Sequence, residues 1–380
     1  MSKTSNEKVI ILLFIIINFY YFKYFTINYE FYNGTNSFFE FPLNFDFIKL
    51  TLPLLESKFL ILKEVFEKGG TYGEEVYFER KISQIGITYI YIFFINLFSI
   101  FTKNILLISF IINNLSIIIG YYYYKKILTE IMHIYSMKMN ILFFFNPILI
   151  WYSQGLNKDI FLITLFIPLI YFFYKRNHVK IFILGLIIAL IRFPYAFVIP
   201  IIYCLIYFKN KYLVMFIVYF FSSLYAGYLG TYEYGSRNES VSTFLESKNS
   251  IFGISVTVAQ LNESYMIGNI LMNPIRLVQL IYDQLRTIVI ITDGRLNLYH
   301  LLNAPITIYF IYNSLTIVKL FKKRFFYNKN LNIILYFIFS IIIVCLMSPF
   351  IHARYASVII YPLFIAILYY NMHKKIGKKL

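Results

Sequence analysis

Long runs of Ile, Phe, Tyr and Leu in this chain carry almost no charge, and Lys and Arg gather in the short gaps between the runs. A soluble core of this size would leave far too much apolar surface in water. Charged residues make up 14% of the sequence, where a soluble domain has roughly 25%. An apolar run of about 20 residues crosses a bilayer as a helix, because only a helix or a closed barrel satisfies its own backbone hydrogen bonds in hydrocarbon. The runs here are too long, and alternate too little, for barrel strands.

Hydropathy, and the tendency of Lys and Arg to stay on the cytoplasmic side, predict helices near 8–28, 105–124, 141–156, 160–174, 181–192, 195–208, 212–230, 303–319, 331–349 and 355–372. The fold class expected is therefore all-α: a polytopic membrane protein of about ten transmembrane helices with both termini cytoplasmic. The run 87–101 is apolar too, but a full crossing there would put Lys125, Lys126, Lys175 and Arg176 outside, so it reads as an interfacial helix on the outer face. On this topology 19 of the 35 basic residues lie inside with only Glu7 and Glu130 among the 18 acidic ones, and the outer charges cancel. The formal charge of +17 is then an orientation signal, and no nucleic-acid partner is needed to explain it.

Two large outer segments, 29–86 and 231–302, are too polar to lie in lipid. In the first, Glu56 to Lys68 carries apolar residues at helical spacing and stops at Gly69-Gly70, as an amphipathic surface helix would. In the second, Pro274 is placed to open a helix running to about Ile291, before the turn Asp293-Gly294-Arg295; this segment is a candidate lid over an outer cavity. No internal repeat or linker divides the chain, so residues 1–380 form one membrane domain. The basic-then-apolar N-terminus lacks a small-residue cleavage site and reads as an uncleaved first helix.

Charge adjoining a membrane helix is expensive unless paired or hydrated, so such charges are the first place to look for chemistry. Lys158 and Asp159 end the polar turn that follows Trp151-Tyr-Ser-Gln; they suit phosphate binding and carboxylate chemistry, and also an ordinary helix start. Arg192, in Arg192-Phe193-Pro194, stands at the break between two short apolar segments, where a cavity wall or a snorkelling side chain is expected. Arg354 is a planar bidentate donor suited to a diphosphate, and His352 exchanges protons near neutral pH; an interfacial headgroup contact is the alternative. The first outer segment supplies carboxylates for a general base, with Glu56 foremost, Glu79 beside Arg80 next, and Asp46 as a further candidate. Arg276 and Arg295 of the second segment complete the set.

Other chemistries lack their motifs. There is no Walker-type loop, no HExxH and no Gly-x-Ser-x-Gly elbow. Cys204 and Cys345 sit in apolar runs and predict neither a disulfide nor a thiolate metal site. No cofactor or metal is expected; a divalent cation is compatible with the carboxylates but nothing indicates one.

The order of these features resembles a family: a first helix, an outer loop rich in carboxylates, an outer turn ending in Asn157-Lys158-Asp159, a helix broken at Arg192-Phe193-Pro194, and His352-Ala-Arg354-Tyr355 followed by Pro362. It is similar to the integral-membrane glycosyltransferases of the GT-C class, and within them to Wzy-like polymerases of O-antigen or capsule repeat units. Glu56 stands where that class typically carries an aspartate, and Phe59 where it more often has tyrosine. The resemblance implies a bacterial inner-membrane enzyme that polymerises oligosaccharides linked to undecaprenyl diphosphate. Its partners would be the lipid-linked glycan, membrane lipid and a chain-length regulator protein. Lys158, Arg192 and Arg354 would bind the diphosphate, with Glu56, Asp159 and His352 as catalytic candidates. A transferase using a polyprenyl-phosphate sugar would use the same residues. A lipid-linked glycan flippase or other transporter is the non-enzymatic alternative.

Overall fold

The computed structural model describes residues 3–27, 93–94, 97–98, 100–102, 105–134, 137–144, 146–154, 158–235, 267–277, 308–320, 322, 328–347 and 357–375. All regular structure among them is helical, with no strand among the described residues. The elements are α1 (Lys3–Ile27), α2 (Ile105–Lys126, prolonged by a π-helical turn, Ile127–Ile131), α3 (Met137–Phe144), α4 (Pro147–Tyr152), α5 (Lys158–Tyr174), α6 (His178–Ile191), α7 (Val198–Tyr207) and α8 (Lys211–Gly235). They continue with α9 (residues 268–277), α10 (Ser314–Leu320), α11 (Asn332–Met347) and α12 (Ile360–Lys375). Short 3₁₀ turns at Phe193–Phe197 and Ser357–Ile359 lead into α7 and α12.

Apolar side chains form these helices and also pack them. α5 is buried along almost its whole length between α2, α6 and α11, and α11 in turn carries α7, α8 and α12. Close approach needs a missing side chain at two positions: a Cβ at Gly120 would stand 3.2 Å from Thr164 Cβ, and one at Gly185 would stand 2.5 Å from Ile199 Cδ1. The turn between α5 and α6 follows a Schellman pattern. Arg176 takes the left-handed position (φ 52°), Asn177 N–H donates to Phe172 O at 3.1 Å, and the Asn177 side chain then caps α6 through Lys180 N–H.

Two prolines act on helices otherwise than the sequence predicted. The run 141–156 is not one helix but α3 and α4, parted at Asn146-Pro147. A proline has no N–H and pushes away the carbonyl four residues before it. Here that carbonyl, Phe143 O, accepts from Tyr361 Oη at 3.0 Å, and the same phenol accepts from Asn146 Nδ2 at 3.1 Å. Pro274 does not open a helix; it lies inside α9, and the carbonyl it displaces, Ile270 O, accepts from Tyr219 Oη at 2.7 Å. In both places a tyrosine hydroxyl restores the lost hydrogen bond.

Contacts sort the helix ends into two sets. At one end Glu7 of α1 meets Lys125 of α2 (2.7 Å), Glu130 meets Lys175 (3.0 Å), Tyr174 of α5 donates to Asn330 O before α11, and His178 of α6 meets Tyr203 of α7 (2.7 Å). At the other end the start of α5 meets the end of α6, and the end of α11 meets α9. Lys125, Lys175 and Lys180, all assigned to one side from sequence, thus share one end of the bundle. Leu107–Ile131 is long and apolar enough to cross a membrane by itself, while six further apolar helices run 14–17 residues. Outer faces are apolar as well: Phe182, Ile183 and Leu186 of α6, and Phe216 and Phe221 of α8, are exposed. Contiguous exposed apolar surface of this kind marks contact with something other than water.

Candidate functional site

The site grows from two helix ends. Lys158 and Asp159 open α5, which places the Asp159 carboxylate beside backbone N–H groups that have no partner within the helix. Arg192 follows α6 in an extended conformation (φ −158°, ψ 95°), because Pro194 prevents the helix from continuing. Its own N–H still closes α6 onto Ile188 O at 2.7 Å. The result is an ion pair, Arg192 Nη1 to Asp159 Oδ1 at 3.3 Å, with the two side chains 17% and 5% exposed.

Tyr195 supports the pair from below. Its ring centroid lies 5.5 Å from the Arg192 guanidinium carbon, and its hydroxyl lies 3.9 Å from Cys345 Sγ on α11. One residue further along α11, Leu346 O accepts from Arg276 Nη1 (2.9 Å) and from Asn269 Nδ2 (3.3 Å) of α9. Arg276 is 1% exposed and also donates to Asn273 Oδ1 at 3.0 Å, while Asn273 donates to Ser223 of α8 at 2.9 Å. Arg276 therefore caps the carbonyl end of α11 rather than standing open on a lid, as the helix dipole favours.

A neutral polar cluster sits beside the turn leading to Lys158. Asn18 of α1 donates to Asn114 of α2 at 2.7 Å and accepts from Ser153 Oγ at 2.9 Å and from Gln154 Nε2. Asn113 Nδ2 donates to Ser153 O at 3.2 Å. These bonds fasten α4 to α1 and α2 in the way amides join helices in apolar surroundings. Sequence reasoning passed over this cluster, although an amide inside an apolar run always needs a partner and was itself the signal.

Among the sequence candidates, the structure brings Asp159 and Arg192 together and sets Arg276 a short way off, joined through α11. Lys158 opens α5, but its side chain lies outside the described residues, as do Asp46, Glu56, Glu79, Arg80, Arg295, His352 and Arg354. Among the described residues no three His, Cys, Asp or Glu side chains are grouped to hold a metal ion. Comparison with protein-family models, curated proteins and solved structures found no match to this chain.

Proposed function

We propose that this chain is a bacterial inner-membrane protein of about ten crossings, termini and lysine-rich end in the cytoplasm, that transfers lipid-linked glycans at its opposite end. The observation that carries the reading is the Asp159–Arg192 pair, its carboxylate buried and its guanidinium half-buried. With α6 rising about 1.5 Å per residue over 14 residues, Arg192 stands about 21 Å from the cytoplasmic end, short of the ~30 Å hydrocarbon thickness. Charge held at that depth fits a recessed polar chamber opening outwards.

In this reading Asp159 fixes the Arg192 guanidinium, whose positive charge is set towards the leaving diphosphate. A site poor in water strengthens such contacts as charge develops. Lys158 and Arg354 add positive charge, and a carboxylate of the first outer segment, Glu56 foremost, takes the proton of the attacking sugar hydroxyl. The reaction favoured is polymerisation of undecaprenyl-diphosphate-linked repeat units. Replacing Arg192 or Arg354 by Ala then abolishes long-chain polysaccharide on a gel while single repeat units still reach the surface. Unchanged chain length overturns the reading.

A second reading has one observation in its favour. Transporters often bind their cargo at discontinuous helices, and the break at Asn146-Pro147 joins the one at Arg192-Phe193-Pro194. A flippase requires that the Arg192→Ala strain also stop single repeat units from reaching the surface, so the same gel separates the two.

A further inference from the structure

At the lysine-rich end, four aromatic rings from the last turns of α2 and α5 form a continuous floor. Tyr123 lies 5.2 Å from Tyr122, 5.4 Å from Tyr171 and 5.3 Å from Phe172, centroid to centroid. Three ammonium groups rest on this floor. Lys126 Nζ is 4.6 Å from the Tyr122 centroid and 5.5 Å from that of Tyr171; Lys175 Nζ is 5.4 Å from Tyr171; Lys180 Nζ is 5.0 Å from Phe172. Such contacts hold a cation in place while leaving its outer side open.

One carboxylate belongs to the group. Glu130 pairs with Lys175 at 3.0 Å and accepts from Tyr171 Oη at 2.9 Å, so Lys126 and Lys180 remain as surplus positive charge on an apolar support. Exposed Phe182, Ile183 and Leu186 of α6 continue as an apolar strip away from Lys180 along the bundle. A basic head above an apolar strip is complementary to an amphiphile with a negative head and long chains.

We propose that this floor is a binding site for the headgroup of an anionic phospholipid of the cytoplasmic leaflet. The phosphate bridges Lys126 and Lys180 over the rings, and an acyl chain follows the α6 face. A zwitterionic headgroup brings its own ammonium to a site already rich in them and is disfavoured. A soluble phosphate lacks the chains and is held weakly. The inference rests on this end facing the cytoplasmic leaflet and is independent of the reaction at the other end.

The test uses the full chain in nanodiscs of equal phosphatidylglycerol and phosphatidylcholine, with retained lipid counted by native mass spectrometry. A lysine near an anionic surface is worth a factor of about five, so Lys126→Gln/Lys180→Gln takes a strong preference for phosphatidylglycerol to near parity. Lys322→Gln/Lys329→Gln changes the same charge at other exposed positions and leaves the preference in place. Equal retention of both lipids by the wild type overturns the site, as does equal loss in both double variants, which signals diffuse charge. Displacement of the lipid by excess inorganic phosphate also overturns it, in favour of a soluble-anion site. A chain that stays in solution without detergent fails the membrane reading itself, a result distinct from all of these.

Discussion

The two ends of the bundle treat charge in opposite ways. At the lysine-rich end, Lys125 and Lys175 are 41% and 49% exposed and pair with a half-buried Glu7 and an exposed Glu130. At the other end, Asp159 is buried and Arg192 half-buried, and Arg276 donates to Leu346 O near the end of α11 and to Asn273 Oδ1. Exposed pairs contribute little, because water and salt screen them and long side chains lose freedom. An enclosed pair contributes little net either, but removing one partner strands the other. The basic end is therefore tolerant in its parts and important in its sum, whereas the opposite end is intolerant residue by residue.

That contrast can be broken most directly at Arg192. Arg192→Leu takes the guanidinium from the buried Asp159 carboxylate, with an expected loss of up to about 3–5 kcal/mol, read as a fall in the thermal midpoint in detergent. The double variant Asp159→Leu/Arg192→Leu recovers most of it. If the single variant is no worse than Glu7→Gln, the two ends do not differ as described. Tyr361→Phe comes next: it strands Phe143 O at the α3–α4 break and costs about 1–3 kcal/mol, measured by chemical unfolding. Gly185→Ala costs about 1 kcal/mol by overpacking, because the new Cβ meets only the tip of Ile199, and Ile199→Val relieves it.

The smallest effect belongs to Glu7. Burial pushes its carboxyl up, but hydrogen bonds from Lys125 and Tyr121 and the Lys125 charge outweigh this and hold it below the ordinary 4.5. A carboxylate depressed in the folded state stabilises above its unfolded pKa and loses that stabilisation as pH falls through the folded one. The wild type therefore exceeds Glu7→Gln by under about 1 kcal/mol at neutral pH, and the two converge as pH drops below 4.5. A difference that grows in acid would reverse the sign and sink the assignment.

Much of the fold was legible because lipid-type patterning is one-dimensional. Uncharged runs gave α1, α2, α5, α6 and α11 to within a few residues, and Lys125, Lys175 and Lys180 marked a shared end. The break at Pro194 showed because an arginine flanked it, whereas the break at Pro147 has only the uncharged Asn146 beside it, and the run predicts a single helix there. The pairing of Asp159 with Arg192 was out of reach: each stood out alone, but a partner 33 positions away is fixed only once α5 and α6 are known to be neighbours. Arg276 misled for a similar reason, since a polar segment gives no sign that its arginine turns inward to a helix end.

The phenol of Tyr361 has a consequence for motion. Tyr361 stands at the second position of α12, just after the stretch holding His352 and Arg354, and it grips the elbow that precedes the Lys158-Asp159 turn. Two stretches some two hundred positions apart in the chain are thus moored to one oxygen atom. A rotation of α12 must either drag the α3–α4 elbow along or let go of it, which makes Tyr361 a clutch between them.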